Sequence, residues 1–556
     1  MPSTHDARET WPTAEGKGSE SPDWMRYMQV SLTMLAGTND VLPVANFLVQ
    51  EVKCDEARPA CLRCTSTGRK CDGYEVDPPN ALKPVPQSAV AVPATLGSLY
   101  ATSPEARSFQ FFTEKTLAGF QTFFRDDLWS SRVLQVAQST DCIRHAVVAL
   151  ASYHERYLTH DQAQLPESTY GLSHYNRAIR ELLTPSSHTS FRPHVLILSC
   201  IIFVCIEVGY HLSRTITPGL IRLEILQGKT ESAIGLFKYG CKMIQQSRAT
   251  SDQNISPTGY SSHDAQAIFR LAEAIFKRIA VQISMLVGDV DTEVRHSFYV
   301  TFSRTKPLPG LPFKSLAEAR EALLDMIVEQ ASPGLRGLEP HNIAYHSANI
   351  NQWCQSFDAL VADYHSAGKT ISSADRRAMS LLQLHRQYLE INVAKCLKGP
   401  GDPCFWDRFT GLFEEMVGHA TIAAGLDETG GSPREIATDP FDPSRSRFHI
   451  DIGISAVLFS MIARCRDPIV RRKAIAVMRA DQALEGVWNG PLTARTATRL
   501  VELEESRSGK PVTCSDDIPA EARVRDIRVH LWPGERKADI VFRFDDHDSC
   551  EETVEW

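Results

Sequence analysis

The sequence predicts a mainly α-helical protein. A large helical region ends in a short β-hairpin, and a small cysteine-rich module and a proline-rich linker precede it. Three observations predict this. From Ser103 onward apolar residues recur at three- and four-residue steps, and no strand-like alternation of comparable length interrupts them before the end. Near the C-terminus the period changes to two on either side of Pro533-Gly534. Upstream, four cysteines crowd into VKCDEARPACLRCTSTGRKCDGY, with a run of prolines after them.

Taken in order, residues 1–51 form an irregular segment. MQVSLTMLAGTNDVLPVANFLVQ is apolar, but Gly37, Asn39 and Pro43 make it a poor helix. Residues 52–74 carry Cys54, Cys61, Cys64 and Cys71 in a C-x6-C-x2-C-x6-C spacing. A C-x2-C pair reaches one zinc from two sides of a tight turn, so these thiolates are candidate metal ligands. Residues 75–102 form the linker, with Pro78, Pro79, Pro84, Pro86 and Pro93 among Ala, Val and Ser.

Residues 103–544 form the helical domain. In ARSFQFFTEKTLAGFQTFF the apolar face is Phe109, Phe112, Leu117, Phe120 and Phe124. Ser139 or Asp141 caps the next helix, CIRHAVVALASYHERYL. SHYNRAIRELL, VLILSCIIFVCI, TESAIGLFKYGCKMIQQ, AQAIFRLAEAIFKRIAVQISML, SLAEAREALLDMIVEQ, NINQWCQSFDALVADYH and AMSLLQLHRQYLEINVAKCL continue the series. FHIDIGISAVLFSMIARC, DPIVRRKAIAVMRAD and ARTATRLVELEESRSG complete it. The hairpin alternates Val524, Ile527, Val529 and Leu531 on one arm with Ile540, Phe542 and Phe544 on the other. Residues 545–556 read as a frayed acidic tail.

The totals bound the function. The 556 residues suffice for two to four domains or one large helical one. A net charge of -8 does not suit a protein that coats nucleic acid with its whole surface, so any such contact belongs to a local basic module. Ten of the fourteen cysteines are scattered without paired spacing, as in a reducing compartment. The polar, acidic first residues do not make a secretory signal. The most apolar run, residues 195–206, is shorter than the roughly 20 residues a membrane helix needs, and reads as a buried helix. A soluble intracellular protein is expected, with no membrane partner.

The cysteine stretch resembles the later part of the fungal zinc binuclear cluster, the six-cysteine, two-zinc module of fungal transcription factors. That pattern begins with a C-x2-C pair and a basic run, and no cysteine precedes Cys54 here. SPEARSFQFFTEKT, DDLWSSRVLQVAQSTDCIRHAVVALASYHE, SHYNRAIREL and ARCRDPIVRRKAIAVMRADQALEGVWNG are similar to the fungal-specific transcription factor domain, especially to regulators found with secondary-metabolite gene clusters. Residues 208–224, with Pro218-Gly219, have no counterpart in that pattern. Retained intron sequence or a mis-set gene model is the expected source of both departures, and sequencing the transcript tests this.

The resemblance implies a nuclear, sequence-specific regulator. By match, Cys54, Cys61, Cys64 and Cys71 are the third to sixth ligands. They can hold one zinc, or stand as four free thiols, but cannot rebuild the two-metal cage. Lys53 matches the lysine that approaches bases, with Arg63, Arg69 and Lys70 near phosphates, and the expected partner is DNA with CGG-type half-sites bound by a homodimer. Residues 51–74 carry five bases (Lys53, Arg58, Arg63, Arg69, Lys70) against four acids (Glu51, Asp55, Glu56, Asp72). A net +1 is small for a phosphate-neutralising module. The alternative is a helical interaction protein that has lost DNA binding and acts through partner proteins.

Nothing points to an enzyme. No Gly-rich phosphate loop, nucleophile elbow or His-Glu-x-x-His run occurs. His145 and His154 have no carboxylate at ligand spacing and read as packing or surface residues. Cys200 and Cys205 read as core. Arg464, Arg466, Arg471, Arg472 and Lys473 read as the solvated face of an amphipathic helix, with a second nucleic-acid patch as the alternative. Acids mixed with Phe544 and Trp556 resemble an activation segment, and a solubilising tail explains them equally simply.

Overall fold

The structure, a computed structural model, describes residues 103–159, 169–183, 193–213, 224–252, 262–285, 300–302, 312–331, 340–366, 371–397, 404–427, 447–532, 537–545 and 547–555. These residues belong to one helical unit.

Helix α1 (Ser103–Phe111) runs through a π-helical turn (Phe112–Thr116) into α2 (Leu117–Phe120). The predicted helix stops there, because Gln121 leaves helical geometry, and Phe124 is buried beyond its end. A second π-helical turn (Leu128–Val133) leads into α3 (Leu134–Ser139). Next come α4 (Asp141–Thr159) and α5 (Thr169–Leu183), which pack on each other. Over residues 195–206 helix α6 (Pro193–Ser213) carries Ser199 as its one polar side chain, and every residue there is buried, as a near all-round apolar helix requires. It packs on α4 and on α7 (Glu224–Asp252). Pro218-Gly219 lies outside the described residues.

Helices α8 (Ser262–Ser284), α9 (Leu316–Gln330), α10 (Pro340–Ser366) and α11 (Ser373–Leu397) continue the layer-on-layer packing. Ser315 caps α9 by accepting from the Glu318 N–H at 3.2 Å. Trp353 of α10 stacks on Phe357, with centroids 4.7 Å apart, and its Nε1 donates to the Ala319 carbonyl at 2.9 Å. Helix α12 (Thr410–Ala424) ends at Gly425, whose φ of 73° is the left-handed conformation that glycine adopts without strain.

The predicted helix FHIDIGISAVLFSMIARC is helical only over α13 (Ser455–Ile462). Its front residues form β1 (Phe448–His449), parallel to β2 (Leu484–Glu485), which pairs antiparallel with β3 (Trp488–Asn489). A Cβ on Gly119 would lie 2.6 Å from the Phe448 carbonyl oxygen, so only glycine lets α2 approach β1. Gln282 of α8 clamps this small sheet. Its Nε2 donates to the carbonyls of Ile450 (3.0 Å) and Asp451 (2.8 Å), and its Oε1 accepts from the Val487 N–H at 3.1 Å.

Helix α14 (Pro468–Asp481) starts where Asp467 accepts from the N–H groups of Ile469 and Val470, both at 2.9 Å. Pro468 sits in its first turn, where a missing N–H costs nothing. Asn489 caps α15 (Gly490–Arg507) by accepting from Leu492 at 3.0 Å. The predicted hairpin is present as β4 (Asp526–Trp532) and β5 (Lys537–Arg543), with Ile527 opposite Phe542 and Val529 opposite Ile540. The chain end is not frayed: β6 (Ser549–Glu555) adds a third antiparallel strand. Val554 is buried opposite Ala538, and Arg499 of α15 donates two 2.8 Å bonds to Glu552.

Candidate functional site

The described residues carry their chemistry as charged and polar groups sealed between helices. The first group lies where α1, α4 and α5 meet. Glu105, in the first turn of α1, His145, one turn into α4, and His174 of α5 are all buried. The two imidazoles meet Nδ1 to Nδ1 at 2.9 Å. The far nitrogens face carboxylates: His145 Nε2 is 3.6 Å from Glu181 Oε1, and His174 Nε2 is 3.8 Å from Glu105 Oε1. Gly171 lets α5 come close, since a Cβ there would already lie 3.1 Å from Ser152 Oγ on α4. Burial, assisted by the Arg177 charge, pushes His145 down to about 4. Burial lowers His174 as well, against the opposing pull of Glu105. Both rings are therefore neutral near pH 7.

The second group is an ion-pair hub. Arg278 of α8 donates to Asp126 at 2.6 Å, and Arg320 of α9 pairs with Asp451 ahead of α13. Glu321 receives Arg320 at 3.1 Å, Arg278 at 3.4 Å and Lys277 at 3.3 Å, and Lys277 also reaches Asp325 at 2.7 Å. Burial alone would raise the Asp451 carboxyl, but Arg320 and Arg278 hold it below its ordinary value. Nearby, the Glu485 carboxylate accepts from the N–H groups of Ile454 and Ser455 at the start of α13, each at 2.9 Å. Burial, with the Asp481 charge, pushes it up to about 8.

The third group is the basic cluster singled out in the sequence, and it is a single face of neither predicted kind. Arg466 and Arg471 are buried and converge on Glu504 of α15 at 2.8 and 2.6 Å. Arg464 lies over the Trp406 ring at 5.3 Å. Only Arg472 and Lys473 point outward, and they pair with Glu505 (2.6 Å) and Glu414 (3.1 Å). Four of the five basic residues near one helix start thus divide between an interior clamp and two surface ion pairs, and Arg464 rests on Trp406. They offer no continuous basic patch.

Cys54, Cys61, Cys64, Cys71, Lys53, Arg63, Arg69 and Lys70 all lie outside the described residues. Cys200 and Cys205 are core, as expected, and burial pushes the Cys200 thiol up to about 12. His154 is also buried, with Nδ1 2.9 Å from Thr116 Oγ1. It helps line a space of about 10 Å³ with Leu150, Tyr153, Cys205 and Phe448, room for one water and not for an organic effector. Sequence reasoning missed the His145–His174–Glu105 group because its members are scattered along the chain. The one available signal was a histidine on the apolar face of each of two adjacent helices. No described helix is long and apolar enough to cross a membrane.

No family model matches the chain, and no solved structure does. Curated relatives do match. The chain is 25% identical over 587 aligned residues to an aspercryptin biosynthesis cluster-specific transcription regulator of Emericella nidulans, an alignment that spans 86% of this chain and 90% of the relative. It is 28% identical over 405 residues to a transcription regulator of Purpureocillium lilacinum, spanning 63% of this chain and 85% of the relative. A Zn(2)-C6 fungal-type transcription factor of Aspergillus fumigatus is 32% identical over 123 residues, 21% of this chain and 33% of the relative. The chain is thus similar, over most of its length, to fungal transcription regulators.

Proposed function

We propose that this chain is a nuclear, sequence-specific transcription regulator of fungal type that controls a biosynthetic gene cluster. The observation that supports the reading is the alignment covering 86% of this chain and 90% of a cluster-specific regulator. In this reading Cys54, Cys61, Cys64 and Cys71 hold zinc and fix their loop. Lys53 reaches a base edge, while Arg63, Arg69 and Lys70 contact phosphates. The helical domain pairs protomers, so that half-sites of CGG type are read at a fixed spacing.

A mobility-shift titration of the full chain on CGG-containing duplexes, repeated across a salt series, tests this. Binding should weaken steeply with salt, and Lys53→Ala should reduce preference for CGG over scrambled duplex. A response that is flat across all duplexes sinks the DNA-reading assignment. The second reading, a helical protein that regulates through protein partners, then takes its place. The balance of five bases against four acids over residues 51–74 favours that second reading.

A further inference from the structure

We propose that Glu105, His145 and His174 form a binding site for a divalent transition-metal cation of the zinc class, built into the helical domain and separate from the cysteine module. One ligand atom from each of the three residues lies within 4.8 Å of the others. All three are buried, on helices that converge from α1, α4 and α5.

A proton count singles out this group among the buried polar clusters. Two neutral imidazoles carry two N–H protons between them. One of them can lie in the 2.9 Å Nδ1–Nδ1 contact, while the Nε2 atoms stand 3.6 Å from Glu181 and 3.8 Å from Glu105, outside hydrogen-bond reach. With a proton in that contact one ring turns its Nε2 lone pair toward a carboxylate oxygen, and with both protons on Nε2 two Nδ1 lone pairs face each other. His145 Nε2 and Glu181 Oε2 are both buried and make no hydrogen bond.

A cation in place of the shared proton resolves the count. Both Nδ1 lone pairs then point at the metal, and each ring keeps its proton on Nε2, that of His145 facing Glu181. That is the carboxylate–histidine–metal arrangement that orients ligating imidazoles. Glu105 supplies the third ligand atom, and Glu181, itself held by Arg177 at 3.0 Å, stands behind His145. Neutral imidazole and carboxylate are donors suited to zinc, cobalt(II) or nickel(II) rather than to calcium. Bound there, the ion would fasten the first described helix to the bundle.

The test uses the full chain with Cys54, Cys61, Cys64 and Cys71 all changed to Ser, so that the proposed cluster contributes nothing. The protein is stripped with chelator, refolded with zinc(II) or cobalt(II), desalted and assayed for metal. One equivalent per chain is expected, and the cobalt form should show ligand-field bands without thiolate charge transfer. His174→Phe and Glu105→Gln should each lower retention at least tenfold while helical circular dichroism persists. X-ray absorption of the cobalt-loaded parent, which needs no histidine variant, should show imidazole scattering. A refolded parent that retains no metal, a thiolate-type spectrum, or retention unchanged in His174→Phe overturns the site. Failure here leaves the DNA-binding reading untouched, because that reading rests on the cysteines removed from this protein.

Discussion

Glu504 shows how much one side chain can decide. It is fully buried between Arg466 and Arg471 and also accepts the Val524 N–H at 2.7 Å. Burial alone would raise its carboxyl, yet the two guanidinium groups hold it below the ordinary range. Glu504→Ala would strand two buried cations, and the expected loss is about 3–5 kcal/mol of unfolding free energy. Equilibrium urea denaturation reads this directly, and a loss under 1 kcal/mol would show that water or a shifted acid replaces the carboxylate. None of this was visible in RCRDPIVRRKA, where a dense run of positive charge looks like a surface. What turned Arg466 and Arg471 inward is an acid 33 or more residues downstream, and no local pattern announces it.

At the scale of elements, the sequence is legible where an element carries its own period or its own cap. The helices from α4 to α11 follow from three- and four-residue apolar spacing, and α14 follows from Asp467 ahead of Pro468. Asp467→Ala should therefore cost about 1 kcal/mol, measured as a lower urea midpoint with an unchanged slope. Elements specified by distant partners were not legible. The two-residue strands β1, β2 and β3 are too short to show alternation, and they exist because Gln282, Gly119 and one another hold them. Strand β6 looked like acidic tail because its pairing face is mostly backbone. Only Val554 enters the core, and Glu552 is taken up by Arg499. The DNA-module residues remain as the sequence reading left them, outside the described region.

For the whole molecule, buried histidines set the response to acid. Burial pushes His154, His385 and His449 each down to about 4 from an ordinary 6.5. The unfolded chain therefore binds protons more readily than the fold does between those values. The stability these groups allow is full above pH 6.5 and is lost as pH falls toward 4, by up to about 1.4 kcal/mol per pH unit for each ring. Glu485 works in the opposite sense. Raised from 4.5 to about 8, it favours the fold most below its unfolded value and loses that advantage as pH rises through 8. Urea unfolding at a series of pH values should show stability climbing from pH 4 to 6.5. In Glu485→Gln the decline between pH 6.5 and 8 should flatten. A profile without slope in the acid range would mean that these rings are wetter than the fold implies.

The Tyr157 hydroxyl donates to the Gln482 carbonyl at 3.2 Å across a separation of 325 positions, and Phe120 rests on Phe448 with centroids 5.4 Å apart. At translation rates of roughly 5–20 residues per second, the early helices leave the ribosome about 15–65 seconds before these partners exist. During that interval the apolar helix at 195–206 lacks the partners that come from later in the chain. A premature stop anywhere before residue 447 would accordingly yield a product marked for proteolysis and not a working half-protein.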